Sequence, residues 1–161
     1  MAFHRILRFT LIGGALVVGA AVFGRGLRGG AGASEPWKPG QVISTDELAK
    51  RLAKSAAAKP HIICVGPRVF YNEAHIPGAA YCGPGSKPEG LEKLKQCAQG
   101  LTHQREVVLY CGCCPWKDCP NIRPAFTLLR AMGFTKVKVL EIPQNFGQDW
   151  VNKGFPVARA R

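Results

Sequence analysis

Four of the chain's seven cysteines fall within nine positions, in the stretch LYCGCCPWKDCPNIRPAF at residues 109–126. Cys111, Cys113, Cys114 and Cys119 have three chemical uses at such spacing. They could bind a metal ion, form a disulfide staple, or supply a reactive thiolate with companion thiols. Which of the three uses applies depends on the elements that position these residues and on the compartment of the protein.

The spacing of the four loop cysteines does not match a common zinc finger. The pattern is C-x-C-C-x4-C, and no histidine lies nearby in the sequence. A c-type haem site is excluded because it requires C-x-x-C-H. Thiolates do suit zinc or copper(I), so a metal-binding module stays open as an alternative. We expect a site with no metal ion and no other cofactor.

Length and charge limit the class of protein. A chain of 161 residues predicts one domain, and an apolar fraction of 47% supplies a hydrophobic core. The net charge is +12, and residues 34–161 contain 18 of the 22 basic residues and all 10 acidic ones. This excess favours small anionic substrates or a negatively charged membrane surface. Nucleic acid is not expected, because no basic run is interleaved with aromatic residues.

The first 33 residues are predicted to be an export segment. A basic start, MAFHRILR, precedes 15 uncharged and mostly apolar residues, FTLIGGALVVGAAVF. That length fits a signal peptide, and an uncleaved N-terminal membrane anchor is the alternative. The stretch GRGLRGGAGASEPWKPG then reads as a flexible spacer. The domain is therefore expected in the cell envelope, either periplasmic or anchored to the inner membrane on its outer side.

Export changes how the remaining cysteines are interpreted. Structural disulfides are the default in an oxidising compartment, and seven cysteines leave at least one unpaired. Cys64, Cys82 and Cys97 fall within apolar patterns, and free cysteine is among the most buried residue types. We expect all three in the core, with a Cys64–Cys82 disulfide as the main alternative.

Helical and strand patterns alternate from residue 41 onward. Predicted helices lie at 44–55, 69–74, 87–100, 122–134 and 146–154, and predicted strands at 61–66, 78–83, 106–111 and 136–141. The strand EVVLYC is apolar without interruption after its first residue, which is typical of a strand buried on both faces. Such alternation predicts an α/β domain with a central parallel sheet and helices on both faces.

The order of several motifs resembles a rhodanese-like domain over residues 41–157. The motifs are VISTDELAKRL, HIPGA, VVLYC, LLRAMGFTKVKVLE and a late Trp before GFPV. The resemblance implies the three-layer rhodanese-like fold. It also implies a sulfurtransferase that takes a sulfane sulfur from an anionic donor such as thiosulfate and passes it to a thiol acceptor.

Cys111 is the catalytic residue that the resemblance implies. In rhodaneses the residue that ends the VVLYC-type strand is the cysteine that carries the sulfur as a persulfide. Physical chemistry gives separate support, because a thiol at a strand end that faces loop amides and a helix N-terminus is biased toward the thiolate. Cys119 is the competing nucleophile, because it lies nearer to Arg123 and the following helix.

The chain also departs from the family pattern. Eleven residues separate Cys111 from Arg123, where four are usual. The family's Asp-Val-Arg before the HIPGA-like motif is replaced by Cys64, Val65 and Gly66. Arg68 could replace the missing base as a substrate-binding residue.

The loop contributes further candidates. Lys117 and Arg123 could bind an anionic substrate. Trp116 is expected to pack, and Asn121 is expected to cap the following helix. Cys113, Cys114 and Cys119 are candidate resolving or disulfide partners of the catalytic residue. The alternatives to sulfur transfer are therefore a thiol–disulfide oxidoreductase and a non-catalytic thiol-binding or metal-binding module.

Overall fold

The computed structural model of the protein describes residues 35–54 and 59–160. The predicted export segment, residues 1–33, lies outside these ranges. Within them, no helix has both the length and the apolar character that a membrane crossing would need.

Strands and helices alternate along the described chain. The strands are β1 (Val42–Ser44), β2 (His61–Cys64), β3 (Ala80–Tyr81), β4 (Val107–Tyr110) and β5 (Val137–Glu141). The helices are α1 (Thr45–Leu52), α2 (Arg68–Glu73), α3 (Pro88–Ala98), α4 (Ile122–Ala131) and the short α5 (Gly147–Val151). Single helical turns at Pro39–Gln41 and Trp116–Asp118 complete the set.

The strands form one parallel sheet in the order β1-β5-β4-β2-β3. The central strand β4 pairs with β2 on one side, where Ile63 lies opposite Leu109, and with β5 on the other. The carboxyl ends of the strands meet at one edge, which is where open parallel sheets bind ligands. Cys111 follows β4 at this edge.

Two apolar clusters cover the two faces of the sheet. In β4 and at the position after it, Val107, Leu109 and Cys111 face α3 and α4, whereas Val108 and Tyr110 face α1, α2 and α5. This alternation is the period of two that every strand has. The predicted fold class, a central parallel sheet with helices on both faces, is therefore confirmed.

The end of the predicted spacer is packed and not flexible. Trp37 is buried, with its ring centroid 5.5 Å from that of Phe126 in α4 and 5.7 Å from that of Trp116. Burial of an indole removes a large apolar area from water, so this contact orders the segment before β1. The domain therefore begins before residue 41, and Glu35 and Trp37 belong to it.

The disulfide joins a different pair of cysteines from the one considered above. Cys82, just after β3, is bonded to Cys97 in α3, and the two are separated by 15 positions. Cys64 is a free, buried thiol. The expectation that Cys82 and Cys97 are unpaired core residues was wrong, because the turn after β3 brings α3 back over the end of that strand.

Charged groups from three elements meet at the amino end of β4. Glu106 forms an ion pair with Arg51 of α1, and its Oε1 lies 3.5 Å from Nζ of Lys138 in β5. The hydrogen bond from Arg51 lowers the pKa of Glu106, and Lys138 adds to the effect. These contacts join α1, β4 and β5, which are far apart in the sequence.

We expect Glu106→Gln to lower the free energy of unfolding by about 1 kcal/mol at pH 7, since an exposed or partly buried ion pair is worth roughly that much. The folded-state pKa of Glu106 is lowered, so its contribution is present at neutral pH and is lost as the pH falls through that lowered pKa. Urea unfolding of both proteins between pH 7 and pH 3 measures the difference. Glu92→Gln, at an exposed pair with Lys95, should change stability less. A cost that stays constant down to pH 3 would contradict the electrostatic explanation.

Candidate active site

Cys111 leaves the sheet through a turn that needs glycine. Gly112 has φ +84°, and a Cβ atom there would lie 2.9 Å from Cβ of Phe146. The backbone N–H of Phe146 donates to the carbonyl of Gly112 at 3.0 Å. The chain after β5 therefore holds the first residue of the loop in place.

The rest of the loop is anchored to the same edge. The N–H of Trp116 donates to the carbonyl of Ile142 at 2.9 Å, just after β5. The indole of Trp116 packs against Trp37, in agreement with the packing role expected for it. The long loop thus folds back over the carboxyl end of the sheet, and two of its four cysteines are buried.

Three loop sulfurs form a cluster. The Sγ atoms of Cys111, Cys113 and Cys119 all lie within 4.8 Å of one another, and the Cys111–Cys113 distance is 3.1 Å. The Sγ of Cys114 lies 3.3 Å from that of Cys113, outside the group of three. Cys111 and Cys119 are buried, whereas Cys113 and Cys114 are half-buried. Cysteines that are up to eight positions apart in the sequence thus meet at one point.

Asn121 positions Cys111 and does not cap α4 through its side chain. Its Nδ2 donates to Sγ of Cys111 at 3.3 Å, and its Oδ1 accepts from the backbone N–H of Ser86 at 3.0 Å. No side-chain capping bond is formed at this helix start. The capping expectation was therefore wrong, because the buried amide links the loop before α3 to the Cys111 side chain.

The clustered sulfurs shift one another's pKa. Hydrogen bonds from Cys111 and Cys113, together with the backbone N–H groups of Asn121 and Ile122, lower the pKa of Cys119. The hydrogen bond of Cys111 with Cys113 acts to lower the pKa of Cys111. Its hydrogen bond to Cys119 and its burial outweigh that effect and raise it. The pKa of Cys111 is thus shifted in the direction opposite to the expected thiolate bias.

Cys64 is a poor candidate for chemistry. Burial raises the pKa of its thiol to about 11, and its Sγ faces the carbonyl of Cys111 at 4.0 Å. Next to it, a Cβ atom on Gly66 would lie 2.5 Å from the carbonyl oxygen of Cys111 and 3.1 Å from its Sγ. The backbone of the cysteine loop therefore occupies the space that a side chain at position 66 would need. This is a physical reason for the missing arginine of the family pattern.

A cavity of about 400 Å³ opens beside Cys111. Its wall includes Tyr71 of α2, Tyr110, Phe146 and Arg159, and Cys113 also contributes to it. Cys119 is absent from the wall of this cavity and is fully buried. The volume lies in the range typical of small-molecule sites.

The three cationic residues that the sequence suggested as anion binders lie outside the cavity wall. Arg123 forms an ion pair with Glu35 at 2.6 Å, and its guanidinium also donates to the carbonyl of Lys117. The ammonium of Lys117 is 5.8 Å from the centroid of the Trp116 ring, and the guanidinium of Arg68 stacks 4.2 Å over Tyr81. None of the three lines the cavity.

Arg159 was not among the candidates from the sequence. Of the described residues, it is the only lysine or arginine in the cavity wall. It lies beyond residue 157, the end of the region that resembles the family. The backbone of Ala158 pairs with His75, and the N–H of Ala160 donates to the carbonyl of Asn72 at 3.1 Å. This pairing brings the C-terminal segment along α2 to the cavity. No motif in the sequence signals it.

Comparison with known proteins identifies the fold and the family. The structure is similar to that of the Alr3790 protein from Anabaena, with 24% identity, a TM-score of 0.56, and coverage of 73% of this chain and 82% of that one. It is also similar to thiosulfate sulfurtransferase from Pseudomonas aeruginosa, with 21% identity, a TM-score of 0.53, and coverage of 74% of this chain and 20% of that one. At these identities the likeness concerns the fold.

The family assignment comes from the sequence itself. No protein of curated function matches the chain. The sequence model of the Rhodanese-like domain family matches residues 44–142, more than half of the chain, and this range includes β4, the cysteine loop and α4. The chain therefore belongs to the Rhodanese-like domain family.

Proposed function

We propose that the protein is a sulfurtransferase that carries sulfane sulfur as a persulfide on Cys111. The observation that carries this proposal is the position of Cys111. It directly follows the central strand, lines the cavity and receives a hydrogen bond from Asn121, whereas Cys119 is enclosed and away from the cavity. A sulfur donor entering the cavity would therefore reach Cys111 and not Cys119.

The proposed first step is a displacement at sulfur. Cys111 first passes its thiol proton to the neighbouring sulfur of Cys119, whose pKa is lowered. The Cys111 thiolate then attacks the outer sulfur of thiosulfate, a new S–S bond forms, and the S–S bond of the donor breaks. Sulfite leaves with the electron pair of that bond, and the cysteine is left as a persulfide anion. A thiol acceptor then removes the outer sulfur, and the cavity has room for such an acceptor after sulfite has left.

Intact mass spectrometry tests the proposal directly. The Cys113→Ser variant of residues 34–161, in which the persulfide is not resolved, is reduced and freed of reductant. It should gain the mass of one sulfur atom after thiosulfate and lose it again after cyanide. Peptide mapping should place the added sulfur on Cys111. A chain that stays unmodified with thiosulfate and with inorganic polysulfide would refute the proposal.

We expect Arg159→Gln to raise KM for thiosulfate about tenfold with little change in kcat. Arg159 lines the cavity, so we expect it to contribute mainly to binding the anion, and one charge-assisted hydrogen bond is worth about 1.5–3 kcal/mol. Steady-state kinetics at several thiosulfate concentrations measures the split.

Three matched variants test the sequence-based candidates. Arg68→Gln, Lys117→Gln and Arg123→Gln remove cations that do not line the cavity. Each should leave KM within about twofold of the unmodified protein. If one of them raises KM and Arg159→Gln does not, the anion is bound at the loop instead of in the cavity.

We also propose Cys113 as a resolving cysteine. Its Sγ lies 3.1 Å from that of Cys111, within reach of a persulfide there. Attack on the inner sulfur of the persulfide would form a Cys111–Cys113 disulfide and release hydrosulfide. Cys114 and Cys119 lie near enough to exchange with that disulfide.

Thiol counting separates resolution from transfer to an external acceptor. After thiosulfate without acceptor, a resolving Cys113 gives a chain that has lost two hydrogens and two free thiols. Cys113→Ser should instead accumulate the persulfide. Equal persulfide in both proteins, with all loop thiols still titratable, would rule out the resolving role.

A location in the cell envelope remains part of the proposal. The Cys82–Cys97 disulfide supports it, because such bonds persist in oxidising compartments and are rare in the cytosol. Fractionation of cells that express the full chain, with non-reducing mapping of Cys82 and Cys97, tests it. A cytosolic protein with both of these cysteines reduced would refute the proposed location.

A further inference from the structure

The sulfur cluster offers more donor atoms than sulfur transfer uses. Cys111 lies at the end of β4, Cys113 in the loop, and Cys119 just before α4, yet their three Sγ atoms lie within 4.8 Å of one another. Two of the three are buried. A reactive cysteine with one resolving partner needs only two of them.

The spacing suits a three-coordinate ion. Three sulfurs at about 2.3 Å from a central ion, in a flat arrangement, lie about 4 Å apart. The separations in the cluster are within 4.8 Å, and the shortest, 3.1 Å between Cys111 and Cys113, has to open by about 1 Å. Cys113 lies in an irregular, half-buried part of the loop, so this movement does not disturb the sheet.

The number and softness of the donors select the ion. Zinc in a structural site takes four ligands, and in a catalytic site it takes three plus water. Here Cys114 lies outside the group, and the burial of Cys111 and Cys119 disfavours a water ligand. Thiolates favour copper(I) among the first-row metals.

The surroundings can stabilise the excess negative charge of three thiolates on one monovalent ion. The Nδ2 of Asn121 donates to Cys111 at 3.3 Å. Hydrogen bonds of this kind orient metal-bound sulfurs and tune their affinity. Apolar side chains, including those of Trp37 and Phe126, belong to the same cluster of packed residues.

We propose that Cys111, Cys113 and Cys119 bind one monovalent soft metal ion, copper(I), in a three-sulfur site. Each thiol that coordinates releases its proton to solvent, and no electron is transferred because the metal enters as copper(I). The site goes beyond the proposed sulfur transfer, and it shares Cys111 with it. Bound copper(I) should therefore block persulfide formation.

A competition titration tests the site. The full chain, reduced with a phosphine and kept anaerobic, is titrated with copper(I) in the presence of the coloured chelator bathocuproine disulfonate. We expect one copper per chain and three sulfur neighbours by X-ray absorption. Cys113→Ser and Cys119→Ser should each lower the affinity at least about tenfold. Cys64→Ser, a buried cysteine outside the cluster, should retain it.

Two controls keep the result decisive. Cys113 is half-buried, so its variant should fold, and circular dichroism checks this for each protein. Equal copper affinity in Cys113→Ser and the unmodified chain would overturn the proposal. So would a loss in Cys114→Ser with preferential retention of zinc, which indicates a four-sulfur zinc site. The titration contains no sulfur donor, so its failure leaves the sulfur-transfer proposal intact, and the reverse also holds.

Discussion

Cys111→Ala will abolish sulfur transfer and leave the fold intact. Removal of a nucleophile leaves only binding, so we expect a loss on the order of 10³-fold or more in turnover. The side chain ends a strand and is 5% exposed, and alanine keeps the backbone of β4 unchanged. Sulfite release from thiosulfate with a thiol acceptor measures activity, and thermal unfolding confirms that the variant is folded.

Cys119→Ala is the informative comparison. The sulfur of Cys119 lies within 4.8 Å of the other two cluster sulfurs but does not line the cavity, so its loss should reduce transfer without abolishing it. Cys64→Ala, which removes a buried thiol outside the cluster, should leave transfer nearly unchanged. If Cys119→Ala abolishes transfer and Cys111→Ala only reduces it, then Cys119 is the nucleophile and the alignment from the helix side is right.

Reduction of the Cys82–Cys97 disulfide will lower the free energy of unfolding by about 3 kcal/mol. The bond closes a loop over a separation of 15 positions, and a loop of that size restricts the unfolded chain by about this amount. Urea unfolding with and without a phosphine reductant measures the difference. Because unfolding exposes the other thiols, the two curves should be recorded under argon.

The matched control is the double variant Cys82→Ala, Cys97→Ala. Its unfolding midpoint should not respond to the reductant, and its stability should lie near that of the reduced chain. If the double variant still responds to reductant, the disulfide whose reduction lowers the stability lies among the loop cysteines instead. A reduced chain as stable as the oxidised one would show that the disulfide has no structural role.

The sequence by itself determined the fold class. The uninterrupted apolar run of β4 predicts a strand buried on both faces, and the helix predicted at 44–55 is observed as α1, where the Ser44 side chain accepts a hydrogen bond from the N–H of Glu47. These features are local, since periodicity and capping depend on residues within a few positions. The order of the motifs then identified the family.

The tertiary structure decided the partners of the cysteines. Disulfide connectivity depends on distances between elements, which spacing along the chain does not give. The sequence therefore did not predict that Cys97 in α3 faces Cys82. In the same way, only the fold of the long loop brings the sulfur of Cys119 close to that of Cys111, and this contact raises the pKa of Cys111.

The residues at the cavity also divide into those that the sequence indicates and those that only the tertiary structure brings there. The sequence indicates where Cys111 lies, because this residue directly follows β4. It does not indicate Arg159, because a C-terminal segment without a motif reaches the cavity only by pairing with residues near α2. Arg123 was a reasonable anion binder by its position in the sequence, yet Glu35 from the far end of the described chain neutralises it. Sequence supplies the groups at an active site, whereas long-range packing decides which of them face the substrate.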